Sequence, residues 1–138
     1  MKNKNAFSKH ALGLIGMLSL QFLLGMFANL FIEFPEKASE KQLWAFTWTQ
    51  IPLDLHIIIG LGLLIGAVVL FIKAIRQKNR QWLIASSIGG VAIVVADYTG
   101  ASFISSQSDS YSFAMAVSFI VALLAYGWGV YKENELSK

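Results

Sequence analysis

Two titratable side chains fall inside stretches of this sequence that are otherwise apolar. His56 lies within IPLDLHIIIGLGLL and Asp97 within GGVAIVVADYTGAS. Polar groups in a bilayer are expensive, which makes them functional candidates by default. An imidazole and a carboxylate in such surroundings can bond to one another, hold a ligand or pass a proton. Gln21 and Asn29 earlier in the chain, and Tyr98, Ser102 and Tyr111 near Asp97, are of types that can join the same network. Asp54, two residues before His56 and nearer the surface, reads as a solvated residue.

Much chemistry is excluded. The chain has no cysteine, which removes disulfides, iron–sulfur clusters, cysteine zinc sites and thiol nucleophiles. It carries no Ser–His–Asp elbow, no phosphate loop and no cluster of metal ligands in sequence. A formal charge of +3 raises the question of nucleic acid, but the basic residues are distributed as topology signals and not as a binding face.

The elements that position these residues are four apolar blocks. The chain is 56% hydrophobic and 14% charged, and the charges collect between the blocks. Residues 11–32, 51–72, 82–104 and 112–131 each supply the roughly 20 residues that a helix needs to cross about 30 Å of hydrocarbon. Helices satisfy their own backbone hydrogen bonds, which lipid cannot do. The expected fold is therefore all-α: a single integral membrane four-helix bundle over residues 1–138. The first block follows Lys2, Lys4 and Lys9, as a signal peptide would. Its apolar run exceeds a signal core and no A-x-A site follows, so an uncleaved span is expected.

Basic residues set the orientation. Lys2, Lys4, Lys9, Lys73, Arg76, Lys78, Arg80, Lys132 and Lys138 share one side of this arrangement, and only Lys37 and Lys41 lie on the other. The positive-inside rule then places both termini in the cytoplasm and the chain in the inner, cytoplasmic membrane. The connection 33–50 becomes an outer loop opening with Glu33, Phe34, Pro35 and Glu36. Ser39 and Gln42 match a capping box ahead of an apolar run. Trp44 and Trp48 follow at i, i+4, which predicts a short interfacial helix anchored by its indoles; a lid over a substrate site is the alternative. Pro52 suits the first turn of the next helix.

Small residues mark the packing seams, because they let membrane helices approach closely. Gly62 and Gly66 form a GxxxG. Ala92, Ala96 and Gly100 repeat the pattern in the third block, and Ala114, Ser118 and Ala122 in the fourth. Gln21, Gly25 and Ala28 share a stripe on the first. Such seams predict a compact bundle, a homo-oligomer or a larger membrane complex. At 1.5 Å per residue Asp97 lies about 10 Å, and His56 about 8 Å, below the outer surface. A hydrogen-bonded His56–Asp97 pair would satisfy both, as interhelical glue, as a ligand site or as a proton site. His10 belongs to the opposite surface, too far away to share a metal or haem with His56.

Gln21, Phe22, Leu23, Leu24 and Gly25, together with His56 and Gly60, resemble small four-span bacterial membrane proteins of unknown function. The same residues are weakly similar to one half of haem A synthase, over about three of the four spans. That resemblance implies a four-helix bundle with haem ligands near the outer starts of the second and fourth spans. His56 matches the first position. The fourth span opens with Tyr111, Ser112, Phe113, Ala114 and Met115, without a histidine. A haem b would then need Met115 or Met26 as its other ligand, as in His/Met cytochromes. Three functions follow: a non-enzymatic accessory or assembly subunit, a haem or quinone binder using His56, and a small-molecule or proton transporter using Asp97, whose path would require an oligomer.

Overall fold

The structure, a computed structural model, describes residues 6–35 and 37–135. Lys2, Lys4, Glu36 and Lys138 lie outside the described residues. Among the described residues there are five helices: α1 (Ala6–Phe31), α2 (Glu40–Thr47), α3 (Ile51–Arg76), α4 (Arg80–Ser106) and α5 (Asp109–Glu135). The four long ones are each long and apolar enough to cross a membrane. All four run past their apolar blocks into flanking polar residues, α1 at its start and the others at one or both ends, because a helix stops at a local signal and not where hydropathy falls.

Those signals are visible. After α3, Lys78 takes a left-handed conformation, φ 51°. The Lys78 N–H donates to Ile75 O and the Asn79 N–H to Ala74 O, each at 3.0 Å, which is the Schellman pattern of helix termination. Asn79 at once caps α4, its Oδ1 accepting from the Trp82 N–H at 3.2 Å. Gln107, φ 54° and ψ 29°, ends α4 in the same left-handed region. Pro52 stands in the first turn of α3, as expected.

These tight turns make successive long helices antiparallel. Contacts close a ring in which α1 packs on α3, α3 on α4, α4 on α5 and α5 on α1. Leu14, Leu18, Leu63, Leu70, Trp82, Ile93 and Tyr126 fill its core. The outer faces are as apolar as the inner ones: Leu23, Leu30, Ile58, Ile65, Val91 and Leu124 all point outward. A water-soluble protein rarely exposes so much apolar surface, whereas lipid accepts it. This is a multi-pass membrane protein.

The small residues sit at helix contacts. A Cβ on Gly62 would stand 3.1 Å from Met17 Cε and one on Gly66 2.6 Å from Leu14 Cδ2, so the GxxxG is where α1 side chains enter α3. Ala92, Ser118 and Ala122 are buried between α4 and α5, with Ala96, Ala114 and Gly100 half-buried beside them. The seam extends further than the small-residue pattern predicts. Gly89 seats the Tyr126 ring and Gly129 seats the Trp82 ring, with a would-be Cβ 2.6 Å from each. Both rings are fully buried, and Trp82 also stacks on Phe7 at 5.6 Å.

The short helix α2 forms where the capping box places it, the Gln42 side chain accepting from the Ser39 N–H at 2.8 Å. It lies against α4. Leu43 and Thr47 are its buried face. Phe34 meets both Phe46 and Phe103 edge-on, and Ser105 donates to Glu40 Oε1 at 2.8 Å.

Candidate functional site

A cavity of about 880 Å³ opens between the helices at the α2 end. This is in the range of small-molecule sites, roughly 300–1,000 Å³. It reaches inward to Leu18, Leu63, Ile93 and Ala122. Beyond them Leu70, Trp82 and Tyr126, all fully buried, close the core. Leu43 and Trp44 of α2 and Phe34 and Pro35 of the preceding loop line the mouth.

Five of the residues named in the sequence, Gln21, Gly25, His56, Gly60 and Asp97, converge here as one interlocked group. Gln21 Nε2 on α1 donates to the main-chain oxygen of His56 on α3 at 2.8 Å. The His56 ring lies against Gly25 of α1, where a Cβ would stand 3.1 Å from Cε1. Asp97 of α4 reaches the bare backbone of Gly60, one turn beyond His56. A Cβ on Gly60 would stand 3.2 Å from both Asp97 Oδ1 and Gln21 Nε2. Each glycine supplies the room in which a polar side chain of a neighbouring helix sits.

The direct His56–Asp97 hydrogen bond expected from depth alone is not made. The imidazole turns toward Gly25 and the carboxylate toward Gly60, so the two occupy different glycine clefts. Among the described residues, Gln21 Oε1, His56 Nδ1 and Asp97 Oδ2 are buried without a hydrogen-bond partner. All three residues line the cavity. An unsatisfied buried polar atom costs about 1–3 kcal/mol, and three of the six such atoms among the described residues belong to side chains that line this cavity, which makes it the candidate site.

Asn29 and Met115 also line the cavity, as does Met26. Met115 Sδ packs over Gly100, 3.3 Å from where a Cβ would be. Tyr98 and Ser102 do not belong to the site. Tyr98 is 69% exposed on the outer face of α4, and Ser102 bonds back to Tyr98 O at 2.9 Å. They lie one and five residues beyond Asp97, and helical rotation carries them away from its face. Tyr111 is not part of the lining either. Asp54 is half-buried in the first turn of α3, with Oδ1 unpartnered, and stands apart from the cavity. His10 bonds to Gly66 O at 3.1 Å, in the closed half of the bundle.

Hydropathy and spacing missed the contribution of the loop and α2. Lys37, Ala38 and Trp44 join the cavity wall, and only the lid alternative for the Trp44 segment pointed that way. Among the described residues no group of three or more His, Cys, Asp or Glu could hold a bare metal ion. No family model, no curated protein and no solved structure matches the chain.

Proposed function

We propose that the chain is a small, non-enzymatic accessory protein of the inner membrane that holds a lipid-soluble, ring-headed molecule of the quinone or haem class, with His56 as its polar anchor. The observation that carries this reading is the set of three unpartnered atoms, Gln21 Oε1, His56 Nδ1 and Asp97 Oδ2, in residues lining one cavity. Aromatic and apolar walls from Phe22, Phe34, Trp44 and Phe103 suit a ring, while His56, Asp97, Gln21 and Asn29 suit its polar substituents. The closed core below the cavity favours holding a ligand over conducting one, so the transport reading through Asp97 ranks lower. The bundle's single His56 anchor and the resemblance to haem A synthase leave haem as the second reading.

For haem, the residues present fit one set: His56 offers an imidazole nitrogen without a partner, and Met115 offers a thioether on the wall of the same cavity. A bound haem would supply one-electron redox chemistry. Gly25 would hold the imidazole plane and Gln21 the helix segment that carries it.

The test is ligand binding by the full chain in lipid nanodiscs. Haem added during expression and a short-tailed quinone added afterwards are the two probes. Stoichiometric binding of either, lost in His56→Ala and kept in His10→Ala, is the expected result. A wild-type protein that takes up neither would end the proposal. In the same reading both termini are cytoplasmic.

A further inference from the structure

We infer that the turn between α3 and α4 is a seat for the headgroup of an anionic phospholipid, held by Arg76, Lys78 and Arg80. This site is independent of any ligand in the cavity and rests only on the membrane-spanning bundle. The charges at the bundle end opposite α2 are unevenly engaged. Lys73 donates from Nζ to Ala6 O at 2.9 Å and lies 4.5 Å from the centre of the Phe7 ring. Lys132 is paired with Glu135 at 2.6 Å. Glu133 accepts from the Ser8 N–H at 2.9 Å and from the Ser8 hydroxyl. Glu133 and Glu135 are the acidic residues of this end among the described residues, so its carboxylates are taken.

Arg76, Lys78 and Arg80 are left over. All three are exposed, and they fall within one stretch of five residues. Among the described residues none of them is ion-paired, and the first turn of α4 carries no acidic residue to offset them. The backbone that presents them is held in place. Lys78, at φ 51°, closes α3, and Asn79 Oδ1 caps α4 through the Trp82 N–H. Lys9 is exposed as well, but it stands on α1, away from this turn. Spread around the bundle end, the basic residues make no face for a nucleic acid. Three on one turn suit a single phosphate, which guanidinium groups grip with paired hydrogen bonds.

The surface beside the cations selects a lipid over a free anion. Ile72 lies four residues before Arg76 and Ile84 four after Arg80, and residues four apart share a helix face. The two isoleucines are 41% and 42% exposed, and Ile75 is 51% exposed. Each helix therefore presents a cation at the membrane edge with bare aliphatic surface deeper in the bilayer. A phospholipid has the same order, phosphate at the interface and acyl chains below. Headgroup charge then decides among lipids. Phosphatidylcholine carries an ammonium beyond its phosphate, which three cations repel, whereas phosphatidylglycerol carries none.

The experiment is native mass spectrometry of the full chain from detergent micelles holding equal amounts of palmitoyl-oleoyl phosphatidylglycerol and phosphatidylcholine. The acyl chains are identical, so only the headgroup differs, and membrane orientation does not enter the readout. Each Lys or Arg at an anionic membrane surface contributes about fivefold to the attraction, so a preference for phosphatidylglycerol on the order of tenfold or more is expected. Arg76→Gln with Arg80→Gln should cut that preference by about fivefold or more. Lys9→Gln with Lys132→Gln removes as many positive charges from the same end and should change it by less than about twofold. Circular dichroism with gel filtration checks that both variants fold. Equal retention of the two lipids by the wild type would overturn the inference. So would a preference that survives in the Arg76/Arg80 variant, or one that falls equally in both variants, which would mark general surface charge and not a seat on this turn.

Discussion

Gln21 of α1 and His56 of α3 are joined through an amide and a main-chain carbonyl at 2.8 Å. The carbonyl belongs to a helix and already serves its own ladder, so the amide is a second donor on it. This ties the α1 stripe to the segment of α3 that carries the imidazole. Gln21→Leu removes the tie. Interhelical hydrogen bonds in membranes average about 0.6 kcal/mol, so a stability loss of that order is expected in detergent unfolding. Ligand binding should fall further than stability does, because Gln21 itself lines the cavity and ties the α3 segment that carries His56 to α1. An equal fall in both would mean that Gln21 is only packing.

The α4–α5 seam is a second target. Tyr126 sits over Gly89 with its ring atoms 2.6–3.0 Å from where a Cβ would be. The ring is fully buried, with no room to shift. Gly89→Ala should therefore destabilise by about 1–3 kcal/mol, the usual cost of overpacking a close-packed core. Gly13 and Gly127 meet nothing within 4 Å, so alanine there should be neutral or slightly stabilising. Thermal unfolding of the three variants in one detergent checks this, and equal midpoints would contradict the seam.

The two tryptophans of the α2 segment should behave differently. Trp44 is half-buried and lines the cavity, whereas Trp48 is 56% exposed. Single-tryptophan variants can be prepared with the other indoles replaced by phenylalanine. Trp44 fluorescence should change on ligand addition, and Trp48 should respond to headgroup-depth quenchers, as an interfacial indole would. A ligand response confined to Trp48 would place the binding site elsewhere.

Orientation is open to a direct test. Among the described residues Lys9, Lys73, Arg76, Lys78, Arg80 and Lys132 lie at the bundle end opposite α2. By the positive-inside rule that end faces the cytoplasm. Reporters fused after the C-terminus and inserted in the 33–50 connection should report opposite compartments. An external C-terminus would reverse the proposed topology.

The sequence by itself determined the four long helices and their order, but not where each one ends. Blocks of about 20 apolar residues can satisfy their backbone only as helices, and the Ser39–Gln42 pair marks the start of the short α2 between the first two. It also singled out three polar residues of α1, α3 and α4 that line the cavity, because His56, Asp97 and Gln21 stand out against apolar neighbours whatever the packing. Which atoms they meet was not legible. Spacing along one helix gives depth and face, and at that level His56 and Asp97 look like partners. Only the packed bundle decides that each fits a different glycine cleft, Gly25 or Gly60, on a neighbouring helix. The same holds for Tyr98 and Ser102, close to Asp97 in sequence yet rotated off its face. It holds equally for Trp44, brought to the mouth of the cavity by the packing of α2 on α4. Side-chain pairing between helices depends on their rotation and offset to within an ångström or two, and those are settled by the fit of whole surfaces, not by local sequence.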